Sequence, residues 1–232
     1  MTDNPRQNVI FPSGGTEAHG YLALPASGAG PGVIVIQEWW GLDQHIADVT
    51  DRLAAEGFVA LAPDLFGGKV AHDTDEAGEY MAGLPAEQAA VELGGAVDYL
   101  LGHEAVTSAA LGAVGFCMGG GFVLQLAART GAKIAAAVSF YGVGQGVPQD
   151  FSGIAADVQG HYAEQDGFYP VEEAREQEAR MKGETRGSVE FFYYPAGHAF
   201  HNDRDKLGTY DETAAKLAWS RTVAFLHDHL DG

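Results

Sequence analysis

A single cysteine stands in the 232-residue chain, within the stretch GFCMGG at 115–120. Gly115 lies two residues before Cys117 and Gly119 two residues after it. Glycines at these positions relieve crowding where a strand turns sharply into a helix, and such a turn, G-x-S-x-G in its usual form, holds a nucleophile up to a carbonyl substrate. The dipole and free N–H groups of a helix N-terminus favour the thiolate. The competing reading is a small buried hydrophobe in an ordinary strand–helix turn. Glu38 and Trp39 follow the apolar run GVIVIQ. An unpaired carboxylate at a buried strand end is costly; a helix-terminal charge or a solvated loop residue is the alternative. Asp166, in HYAEQDGFYP, stands where an acid can orient a histidine, although aspartate is common in turns for local reasons. His198 lies in a Gly-flanked loop, PAGHAFHND. His198-x-x-His201 has a metal-like spacing but no third ligand of clear origin, so neither a metal nor a cofactor is expected. His45, His103, His227 and His229 fall on helices or their ends and are expected to be solvated.

Elements that position these residues follow from the hydrophobic pattern. Strands are expected at 8–11, 20–25, 32–37, 58–63, 108–116, 133–142, 157–166 and 188–195. Helices are expected at 43–57, 86–103, 118–131, 170–183 and 210–230, with a short one near 75–82. The helix at 86–103 contains Gly94-Gly95, for which close packing is a reason. Repeated strand–helix–strand order predicts an α/β fold: a mostly parallel central sheet with helices on both faces, and the first two strands antiparallel at one edge. Such sheets bind ligands beyond the carboxyl ends of their strands. Cys117, Asp166 and His198 follow strands there, in the chain order nucleophile, acid, histidine of the α/β-hydrolases. In that arrangement the backbone N–H groups of Trp39 and Met118 form the oxyanion hole.

Composition sets limits on partners. Lys and Arg number 13 against 32 Asp and Glu, a formal net charge of -19. That excess argues against nucleic-acid binding and against long-range attraction of anionic substrates, and favours solubility or a high-salt habitat. One cysteine cannot build an intramolecular disulfide framework. The opening MTDNPRQNVIF lacks a secretory pattern, and no apolar run is long enough to span a membrane. A cytoplasmic protein is expected, with the oligomeric state open and a monomer compatible with the sequence.

The chain resembles the dienelactone hydrolase family, of carboxymethylenebutenolidase type. The carriers are VIVIQEWWGL (33–42), GFVALAPDLFGG (57–68), GAVGFCMGGGF (112–122), FYGVG (140–144), AEQDGFYP (163–170) and YYPAGHAFHN (193–202). The resemblance spans nearly the whole length and implies one α/β-hydrolase domain over 1–232. It implies that Cys117 attacks a lactone or ester carbonyl, that His198 transfers protons, that Asp166 orients His198, and that Glu38 contacts the resting thiol and helps to form the thiolate. Two family arginines that hold a substrate carboxylate are missing: Asn202 stands at one position, and no arginine occurs between Arg52 and Arg129. Arg204 and Lys69 are the candidate replacements. A less charged lactone or ester is therefore expected, in a pocket lined from Trp39, Trp40, Phe116, Tyr141, Phe168 and Phe200. A broader carboxylesterase or thioesterase, or a non-catalytic binding or thiol-sensing member, are the other readings.

Overall fold

The computed structural model describes residues 6–144 and 146–231; residues 1–5 of the opening stretch lie outside them. Within the described residues, eight strands form one sheet in the order β1-β2-β4-β3-β5-β6-β7-β8. They are β1 (Val9–Ser13), β2 (Thr16–Ala23), β3 (Gly32–Ile36), β4 (Val59–Pro63), β5 (Leu111–Phe116), β6 (Ile134–Phe140), β7 (Asp157–Ala163) and β8 (Val189–Tyr194). β1 pairs antiparallel with β2, and β2 antiparallel with β4. From β4 to β8 every pairing is parallel. The predicted antiparallel edge and parallel body are both present, in the α/β-hydrolase fold.

Among the described residues, six α-helices cover the sheet: α1 (Gln44–Ala55), α2 (Thr74–Ala82), α3 (Ala86–Leu101), α4 (Met118–Thr130), α5 (Val171–Glu184) and α6 (Glu212–Leu230). Strand periodicity divides the core. Ile34, Ile36, Leu111 and Ala113 pack with Leu93 of α3, Phe122 of α4 and Met181 of α5. Val33, Val35, Val114 and Phe116 point the other way, toward Ile46 of α1 and Leu226 of α6. Alternate residues of one strand thus feed opposite helical layers, as a two-period pleat requires. β3, β4 and β5 are buried on both faces, which explains their continuous apolar runs.

Local signals place the helix starts. Asp43 caps α1 by accepting from the Ile46 N–H at 3.2 Å, and Asp211 caps α6 through the Ala214 N–H at 2.8 Å. Within α3, a Cβ at Gly95 would meet Ser13 Cβ at 2.6 Å, so close packing accounts for that glycine. Gly94 faces open space, and nothing in the structure explains it. The strand expected from residue 108 begins at Leu111; Ser108 instead accepts the Gly32 N–H on its hydroxyl at 3.1 Å. Among the described residues, no helix is long and apolar enough to cross a membrane.

Candidate active site

The carboxyl ends of β3, β5, β6, β7 and β8 lead into Glu38, Cys117, Tyr141, Asp166 and His198 respectively. Cys117 takes φ 54° and ψ -118° between β5 and α4. Such a backbone costs about 1–3 kcal/mol and persists only where its surroundings enforce it. Enforcement is visible on both flanks. A Cβ on Gly115 would enter the Gly119 backbone, and one on Gly119 would lie 2.5 Å from the Gln37 carbonyl oxygen. The elbow is thereby pressed against the end of β3, beside Glu38 and Trp39. The Cys117 N–H donates to the Phe140 carbonyl at 3.0 Å, which ties the same turn to β6.

Three side chains connect. His198 Nε2 lies 3.2 Å from Cys117 Sγ, and His198 Nδ1 lies 2.7 Å from Asp166 Oδ2. The other Asp166 oxygen accepts from the Phe168 and Tyr169 N–H groups at 2.8 and 3.0 Å. Burial raises the Asp166 carboxyl, but His198 and these two N–H groups outweigh it and leave it below the usual range. Burial alone would lower His198; Asp166 and the Cys117 sulfur overcome that and lift the imidazole to about 10. Nε2 of this imidazole is the group that faces the sulfur. The stability carried by this raised value is full below the ordinary imidazole value of 6.5 and is lost as pH climbs toward about 10. Accordingly, the melting temperature is expected to fall from pH 7 to pH 10, and to fall less in His198→Gln; parallel curves for the two proteins would refute this.

Glu38 departs from the expected contact with the thiol. It is 1% exposed; Oε1 accepts from the Tyr141 hydroxyl at 3.2 Å, and Oε2 from Asn202 Nδ2 at 2.6 Å. The sulfur's hydrogen-bond partner is His198. Burial raises the Glu38 carboxyl above its ordinary value, with the charge of His45 working against this and Asp43 adding to it. Trp39 and Met118 have no backbone acceptor for their N–H groups among the described residues, and both lie at the turns that meet beside Cys117.

Several expected pocket residues lie elsewhere. Phe116 is fully buried between Phe140 and His201, because its place on β5 turns it toward the α1 and α6 layer. Phe200 is equally buried, against Tyr141 and Tyr194. Trp40 packs with Ala71 and Ala77 under Lys206. Asn202 is spent on Glu38. Tyr141, Phe168 and Trp39 do border the site: the Tyr141 and Phe168 rings lie 5.0 and 4.8 Å from the His198 ring, and Trp39 meets Phe168 edge-on. Phe168 remains 51% exposed, so it forms a rim.

The candidate cations are also occupied. Arg204 pairs with Asp48 and Asp203. Lys69 lies over Tyr80 and lines a separate cleft of about 340 Å³ bounded by Asp64, Phe66 and Glu92. Lys206, which carries no motif signal in the sequence, pairs with Asp43 at 3.2 Å. His45, expected to be solvated, is buried on the inner face of α1, and His201 is buried beside it.

The model of the dienelactone hydrolase family matches residues 18–230. Protein usf of Aquifex pyrophilus is 34% identical over 97% of this chain and 99% of its own length. A Bradyrhizobium protein named as a probable 2-oxo-3-(5-oxofuran-2-ylidene)propanoate lactonase is 34% identical over 91% of this chain and 90% of its own. Among solved structures, a Klebsiella pneumoniae protein named as a candidate dienelactone hydrolase superposes with a TM-score of 0.82 at 30% identity, covering 96% of this chain and 100% of the other.

Proposed function

The chain belongs to the dienelactone hydrolase family of lactone and ester hydrolases, and from that premise we propose that it opens an uncharged lactone or ester through an acyl-enzyme on Cys117. The observation that carries this reading is the unbroken line from Asp166 through His198 to Cys117, at 2.7 and 3.2 Å, on a backbone turn held at positive φ.

The thiolate sulfur attacks the carbonyl carbon. A C–S bond forms, and the carbonyl pair moves onto oxygen, where the Trp39 and Met118 N–H groups stabilise it. Preorganised donors of this kind are usually the largest electrostatic contribution to acyl transfer. As the tetrahedral intermediate collapses, the C–O bond breaks and the leaving oxygen takes the proton from His198 Nε2. In a lactone that oxygen stays tethered to the acyl group. Water then attacks the thioester, passes a proton to the now neutral His198, and the sulfur leaves as thiolate. Asp166 holds the ring so that Nε2 faces sulfur throughout. Glu38 directly precedes Trp39, one of the two proposed donors, and is held by Tyr141 and Asn202, so its charge state bears on how readily negative charge collects there.

Substrate charge follows from what surrounds the site. Arg204, Lys69 and Lys206 each have partners elsewhere, the exposed rim is aromatic, and the net charge is -19. A substrate carboxylate would therefore find no bidentate guanidinium contact. Comparing kcat/KM for a neutral lactone and its carboxylated analogue tests this. The neutral compound is expected to be preferred at least about tenfold, the scale of one lost charged contact; preference for the anion would contradict the proposal.

A further inference from the structure

Contacts between the loops at the carboxyl end of the sheet close a ring. The Cys117 N–H donates to the Phe140 carbonyl at 3.0 Å. The next residue, Tyr141, donates its hydroxyl to Glu38 Oε1 at 3.2 Å, and Asn202 Nδ2 donates to Glu38 Oε2 at 2.6 Å. Asn202 lies on the same loop as His198, whose Nε2 returns to Cys117 Sγ at 3.2 Å. Glu38, Tyr141 and Asn202 are all buried, so bulk water does not compete for these bonds. Local backbone geometry aims both donors. Tyr141 is held at φ 41°, and Asn202 Oδ1 accepts the Arg204 N–H at 3.0 Å, which turns Nδ2 toward Glu38.

The Glu38 carbonyl and the Trp39 N–H belong to one rigid peptide plane. That carbonyl accepts the Gly41 N–H at 3.2 Å, in a turn that Gly41 completes at φ 95°. A Cβ at Gly41 would lie 2.5 Å from the Lys69 carbonyl oxygen, so the turn is wedged against the loop after β4. Gln37 secures the same side, its Oε1 accepting the Leu65 N–H at 3.1 Å. The Glu38 side chain ties the turn to the loops after β6 and β8. We propose that Asn202, acting through Glu38, is a positioning residue for the Trp39 N–H: it locks the peptide plane that receives the oxyanion to the loop that carries His198. The inference rests on the proposed oxyanion role of Trp39. Glu38 serves as a two-pronged acceptor, with Tyr141 as the second donor that fixes it. An amide at 202 that donates inward is also unavailable to a substrate carboxylate, in keeping with a neutral substrate.

The test compares two reactions of Cys117. Ester hydrolysis develops an oxyanion; alkylation by iodoacetamide forms a C–S bond as iodide leaves a saturated carbon, and develops none. Asn202→Asp keeps the side-chain shape and an acceptor for the Arg204 N–H, but sets an acceptor where the donor to Glu38 stood. For a neutral ester kcat is expected to fall about a hundredfold, the scale of a 1 Å misplacement near reacting atoms, with KM and the alkylation rate each within about threefold of the parent. Adding Glu38→Gln reverses the bond: the new amide N–H donates to the new carboxylate, and the amide oxygen still accepts from Tyr141. The double variant is expected to recover at least about tenfold in kcat over Asn202→Asp, a coupling of the size found between residues in contact. Tyr141→Phe keeps the ring beside His198 and serves if Asn202→Asp folds poorly; kcat should fall about fivefold, the scale of one neutral hydrogen bond, with alkylation unmoved. Alkylation falling in step with hydrolysis would place the effect on the thiol and overturn the proposal. Parent-like kcat in both single variants, or no recovery in the double variant, would overturn it too. A parent that turns over no ester overturns the hydrolase reading and this inference with it, whereas a competent parent with any of the preceding results overturns this inference only.

Discussion

Cys117→Ala is expected to lower kcat/KM for a neutral ester by about ten-thousandfold, the scale seen when an acyl-transfer nucleophile is lost. The melting temperature should stay within a few degrees of the parent, since alanine has a Cβ like cysteine and needs no new backbone geometry. Cys117→Ser separates two explanations for the loss. A hydroxyl in place of Sγ keeps a hydrogen-bond partner for His198, yet it holds its proton far more tightly than a thiol does. It also removes the sulfur that helps to lift His198 to about 10. A loss of about a hundredfold or more is expected for serine, because this site favours a thiolate rather than pulling a proton from an alcohol. Steady-state kinetics on purified variants, alongside thermal melts, measure both effects. Serine activity equal to the parent would mean that thiolate formation is not what the site is arranged to do.

Gly119→Ala is expected to damage stability and activity together. Its new methyl would meet the Ile36 and Gln37 carbonyl groups, backbone atoms at the end of β3 that cannot rotate aside. The clash can be relieved only by moving the start of α4 away from β3. That costs about 3 kcal/mol, the upper end for an inserted methyl group, or roughly 10 °C in melting temperature for a chain of this size. The same movement separates Met118 from Trp39, the two proposed oxyanion donors, and a 1 Å misplacement near reacting atoms can cost about a hundredfold in rate. Gly94→Ala is the internal control. It adds a methyl group to a helix with nothing within 4 Å, so stability should be unchanged or slightly raised. Equal melting temperatures for Gly119→Ala and the parent would show that the elbow is not compressed against β3.

The elbow is legible in the sequence because its signal is local. Glycines at 115 and 119, an apolar run before Cys117 and a helical pattern after it define the turn without tertiary information. The structure adds that Gly115 makes room for Gly119, and Gly119 for the end of β3. The parallel sheet is legible for the same reason: β3, β4 and β5 are uninterrupted apolar runs bounded by turns. Side-chain direction is not. Phe116 precedes the nucleophile in sequence, yet the pleat sends it into the layer beneath α1 and α6. Asn202 reads as a missing arginine, whereas its amide is the donor that holds Glu38. His45 reads as solvated because α1 carries many polar residues. Its position on the buried face, and Asp203 158 residues away, can only be joined by folding. Pairings between distant loops are the part of this site that composition and spacing leave unspecified.

The most direct test of the central claim is intact-mass spectrometry of the protein rapidly quenched during turnover of a slowly deacylating neutral ester, followed by peptide mapping. The account predicts a mass increase equal to the acyl group, carried by the peptide containing Cys117 and absent in Cys117→Ala. Turnover with no adduct, or an adduct mapped to another residue, would contradict it.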